Sequence, residues 1–60
     1  MTTLHAIKEY INASRYTLHR LPVHRQIETY ALLGFMVDGA FERDEITYGD
    51  ARHLHDHIHA

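Results

Sequence analysis

Sixty residues without a single cysteine exclude a disulfide-stapled scaffold and a thiolate zinc site, and a formal net charge of −2 gives no global pull toward nucleic acid. The hydrophobic share of 45% is ordinary for a globular chain, and the longest apolar run, residues 30–37, falls well short of the roughly 20 residues needed to span a bilayer. A chain of this size makes one domain and buries only roughly 60% of the surface its unfolded form exposes, so a partner subunit, a metal or very tight helix packing has to add stability.

The first helix is expected from about Thr3, with Thr2 or Thr3 as its cap, since a threonine hydroxyl can accept from the free amides of a first turn. Leu4, Ile7 and Ile11 then recur at spacings of three and four, with Tyr10 beside them and Leu18 extending the stripe, which is the period of one helix face. Asn12, Ser14 and Thr17 are weak helix formers and point to fraying in the second half. Lys8 and Glu9 interrupt the segment where an export signal would be apolar, so the chain reads as cytoplasmic.

Pro22 disfavours helical geometry at Leu21 and suits the start of a new helix. The second helix therefore starts at Pro22 or Val23. Apolar residues nearly encircle it: Val23, Ile27, Tyr30, Ala31 and Gly34 on one face, with Leu32, Leu33, Phe35 and Met36 widening it. Gly39 is the expected stop, because glycine accepts the left-handed conformation past a last turn. Residues 40–46 then read as a charged connector around Phe41. Thr47-Tyr48-Gly49-Asp50 has capping-box spacing, with Ile46 and Ala51 at the hydrophobic-staple positions and Ala51, Leu54 and Ile58 marking a buried face. The expected fold is all-α: three short helices, about 3–19, 22–38 and 47–59, in one compact dimeric bundle spanning residues 1–60.

Two clusters invite chemistry. Near the end of the chain, His53 and His57 stand one turn apart, His55 and His59 form a second such pair, and Asp56 lies between. A zinc site needs three or four ligands, and one helix supplies two, so His53 and His57 are the residues a metal would use; the simpler reading is a solvated helix end. Around the first connector, Arg15, Arg20 and Arg25 gather with His19, His24 and Tyr16, a patch able to touch an anion or a phosphate backbone. A helix-turn-helix reading fails on its own terms, because the helix after this turn is the most apolar in the chain. Glu42, Asp44 and Glu45 read as solvated, no glycine-rich loop is present, and no catalytic set or cofactor is expected.

Charge is uneven. Residues 1–33 carry Lys8, Arg15, Arg20 and Arg25 against Glu9 and Glu28, a balance of +2. Residues 34–60 carry Arg43 and Arg52 against six acids, a balance of −4. Opposite halves of this kind suit head-to-tail contact within a fold or between subunits.

In its length, lack of cysteine, abundance of histidine and helical pattern, the chain resembles the small accessory proteins of lambdoid bacteriophages and related mobile elements. That resemblance implies a protein that binds a host or phage regulatory protein. The residues themselves point to a non-enzymatic interaction protein, a homodimer that also engages another protein, with Val23, Ile27, Tyr30, Leu33, Phe35 and Met36 as its contact surface. A nucleic-acid-associated regulator using the basic turn and a histidine-based metal or pH sensor are the alternatives.

Overall fold

The computed structural model describes residues 2–60 and contains three helices: α1 (Thr3–Leu18), α2 (Val23–Glu42) and α3 (Tyr48–Ile58). They pack into a body of 34 × 20 × 16 Å. One apolar cluster joins all three: Ile7 and Ile11 from α1, Leu33, Val37 and Ala40 from α2, Ile46 from the second connector, and Ala51, Leu54 and Ile58 from α3. Leu4, Tyr30 and Met36 are half-buried against its edge. Among the described residues no polar side chain is buried, so the interior is held by apolar packing alone.

Thr2 is the cap of α1, its hydroxyl accepting from the His5 amide at 3.1 Å. The helix then runs unbroken through Asn12, Ser14 and Thr17 to Leu18, without the expected fraying. Burial of Leu18 gives the last turn an anchor, while Tyr10, expected beside the buried stripe, is 59% exposed. The turn to α2 is tight. The Arg20 and Leu21 amides donate back to the Thr17 and Leu18 carbonyls, and Gln26 Nε2 donates to the Leu21 carbonyl at 2.9 Å. Pro22 stands just outside α2, and its carbonyl accepts from both Arg25 and Gln26.

The main departure from the sequence reading is at the far end of α2. Gly39 does not stop the helix, which continues to Glu42. Carrying the helix past a glycine costs on the order of 1 kcal/mol, but it delivers Ala40 into the core with none of its surface exposed. The stop is instead built by Asp44, whose φ of 59° is the left-handed conformation assigned above to glycine. The Asp44 amide donates to the Phe41 carbonyl and the Glu45 amide to the Ala40 carbonyl at 2.9 Å, the paired bonds of a Schellman motif. Aspartate tolerates this geometry better than most side chains do.

Gly39 therefore carries the entropic cost of glycine in a helix without using its freedom. A Cβ there would meet Arg43 Nη1 at 3.1 Å, the far end of a flexible side chain. Gly39→Ala is expected to stabilise the protein by about 0.5–1 kcal/mol, read as a higher urea midpoint. A lower midpoint would show that the pairing of Arg43 with Glu45, 3.0 Å apart, is held too firmly to yield.

α3 opens as its sequence indicates. Thr47 Oγ1 accepts from the Asp50 amide and Asp50 Oδ2 from the Thr47 amide, both at 3.1 Å. Ile46 and Ala51, at the staple positions, are both buried.

Candidate interaction surface

The buried and exposed sides of α2 divide the residues named from the sequence as a contact surface. Leu33, only 2% exposed, belongs to the core, and Tyr30 and Met36 are half-buried against it. The correction follows from helical spacing: Leu33, Val37 and Ala40, at intervals of four and three, share the face that α1 and α3 cover. Val23, Ile27 and Phe35 remain outside, 71%, 65% and 70% exposed. With exposed Ala31 they form a row at four-residue spacing, an unbroken apolar ridge along the outward side of the helix. Exposed Leu32 stands beside it. Single exposed apolar residues need no explanation, but an aligned row of them on one helix is the kind of patch that marks an interaction site.

The histidines near the end of the chain stay at least partly solvated, His53 and His59 exposed and His55 and His57 half-buried, but three of them also reach across to other helices. His55 Nε2 donates to Asp38 Oδ1 on α2 at 2.7 Å. His57 Nε2 donates to Asn12 Oδ1 on α1 at 2.5 Å. The His59 ring stacks on Tyr30 of α2 with centroids 5.2 Å apart. Arg15 of α1 donates to the Ala60 carbonyl at 2.8 Å. These contacts flank the Leu54–Ile58 stripe on both sides and fix how α3 sits in the groove between α1 and α2. Of the two histidines a metal would use, His57 turns toward Asn12 while His53 is exposed. Among the described residues no group of three or more histidines and carboxylates gathers at one point.

His57 has its pKa held below the ordinary imidazole value of 6.5, first by desolvation and then by the positive charges of Arg15, Lys8 and His53. The folded state therefore favours the neutral ring, and the unfolded chain binds the proton more readily. The stability this provides is complete above pH 6.5 and is lost as the pH falls below that value. His57→Gln, which can still donate to Asn12, is expected to flatten the decline of Tm between about pH 7.5 and 5.5. An unchanged slope would remove His57 from the acid sensitivity.

Two of the three basic-turn arginines have partners of their own. Arg15 is drawn to the Ala60 carbonyl, and Arg25 pairs with Glu28 at 3.5 Å on the exposed surface of α2. Arg20 is exposed in the turn between them. On the opposite end, the C-terminal half of α2 and the start of α3 enclose an open cleft of about 370 Å³, lined by Asp38, Phe41, Tyr48, Arg52, His55 and Asp56. Phe41 and Tyr48 meet edge to face across it at 6.0 Å. The sequence reading placed Phe41 in a loop and so missed this cleft; the aromatic pair bracketing the connector was the available signal. No helix among the described residues is long and apolar enough to cross a membrane.

Comparison with protein-family models, with characterised proteins and with solved structures finds no match for this chain.

Proposed function

We propose that this is a non-enzymatic interaction protein that works through protein–protein contacts made by the outward face of α2. The observation that carries the reading is the row of Val23, Ile27 and Phe35, each about two-thirds exposed or more, while among the described residues no buried side-chain polar atom lacks a partner. The accessible surface of 4433 Å² also exceeds the roughly 4,000 Å² expected for a folded monomer of 7.0 kDa. Covering the ridge would remove apolar surface from water without disturbing the core behind it. The contacts are made with a second copy and with a regulatory protein, the latter being what the resemblance to phage accessory proteins implies.

Sedimentation of the wild type and of Phe35→Asp tests this. The wild type is expected to show a mass above that of the monomer that rises with concentration. Phe35→Asp is expected to weaken association about 30-fold or more while keeping its helical circular dichroism, because a charge replaces an aromatic anchor at a site where nothing in the core is touched. A wild type that stays monomeric at millimolar concentration overturns the reading.

A further inference from the structure

The charges on α2 run against its own dipole. A helix carries partial positive charge at its N-terminus and partial negative charge at its C-terminus, so acids favour the first turn and bases the last. α2 has no acid in its first turn and no base in its last. His24 and Arg25 stand at its positive end with Arg20 exposed just before them, and Glu42 closes its negative end with Asp38 one turn earlier. Arg25 has Glu28 beside it, Asp38 has His55, and Arg43 at the C-cap is turned to Glu45, so the local pairs offset part of the charge and leave Arg20 and Glu42 as the outer charges of the two ends.

We propose that the outward face of α2 is covered by the same face of a second copy of this chain, running antiparallel, with the two-fold axis at Ala31. This deepens the protein–protein reading above and rests on it. In such a dimer each residue meets the one equally far beyond Ala31 on the other copy. Ile27 then packs against Phe35, and Val23 lies across from Gly39, beside the flexible Arg43 side chain. The small Ala31 residues face each other and let the two backbones approach. His24 lies across from Asp38, whose carboxylate also accepts from His55, and Arg20, in the turn before α2, lies toward Glu42, so each basic end is set against an acidic end and the two dipoles oppose. A parallel arrangement would instead bring the basic ends together, the acidic ends together, and Phe35 onto Phe35. The ridge of Val23, Ile27, Ala31 and Phe35 is self-complementary, as a two-fold interface requires.

The chain has no cysteine of its own, so single introduced cysteines report the geometry cleanly. Under mild oxidation Ala31→Cys is expected to form a disulfide dimer by itself, since the two Cα atoms meet near the axis, and Val23→Cys is not. A mixture of Ile27→Cys and Phe35→Cys is expected to cross-link more than either variant alone. Arg20→Glu and Glu42→Lys are each expected to raise the dissociation constant several-fold, and the double variant to restore it. Cross-linking of Val23→Cys as efficient as that of Ala31→Cys would show parallel helices and overturn the antiparallel arrangement. A wild type that sediments as a dimer while Ala31→Cys fails to cross-link overturns this geometry and leaves the interaction reading standing. A strictly monomeric wild type overturns both.

Discussion

Leu54→Ala is expected to cost about 2–5 kcal/mol, a large share of the protein's total stability. Leu54 sits in the middle of α3 with no exposed surface, inside the cluster that joins all three helices. Deleting a buried leucine side chain to alanine costs about 2–5 kcal/mol, the lost transfer energy plus the cavity left behind. A chain of this length has a total stability of about 3–9 kcal/mol. The upper part of the first range meets the lower part of the second. The neighbouring leucines of α2 supply the control. Leu33→Ala should be similarly damaging, since Leu33 is 2% exposed, whereas Leu32→Ala should change monomer stability by less than about 0.5 kcal/mol, since Leu32 is 66% exposed. Urea unfolding monitored by circular dichroism separates the three. Equal losses at Leu32 and Leu33 would mean that α2 is turned differently about its axis.

Those adjacent leucines also mark where the sequence stopped being legible. The all-α class and the approximate helices follow from apolar spacing, and Thr2, Pro22 and Thr47 mark boundaries that the structure keeps within a residue or two. α2 was harder because its apolar residues surround it. Periodicity cannot tell which side of such a helix is covered; only the placement of α1 and α3 does. So Leu33, Tyr30 and Met36 read as contact surface alongside Val23, Ile27 and Phe35, while Ala31 reads only as a neighbour on the face of Val23 and Ile27. Gly39 misled for a related reason. Glycine is the commonest residue at a helix stop, but the core gains Ala40 by letting the helix continue, and Asp44 then adopts the left-handed turn.

The histidines show the opposite limit. Their one-turn spacing was visible, and so was their position around Leu54 and Ile58. The side chains that receive them were not, because Asn12, Tyr30 and Asp38 lie far away in sequence and carry no motif. A residue such as His57 has no signature that separates a ligand from a hook. The distinction lies wholly in tertiary placement, which here gives Asn12 as its partner.

Thr47→Ala is expected to cost about 1–2 kcal/mol, more than an exposed residue would ordinarily contribute. The Thr47 hydroxyl satisfies the Asp50 amide, and its own amide is held by the Asp50 carboxylate, so the substitution removes one bond of a reciprocal pair and loosens the other. α3 is only 11 residues long, too short to be stable as a helix outside its packing. Fraying of its first turn would therefore reach the buried Ala51 and the Ile46 staple, and through them the placement of Leu54. A double-mutant cycle with Asp50→Ala is expected to give coupling of about 0.5 kcal/mol or more, since each side chain holds the other's backbone. Thr47→Ser, which keeps the hydroxyl, should recover most of the loss. If Thr47→Ser unfolds as readily as Thr47→Ala, the contribution of Thr47 lies in its methyl group and not in its cap.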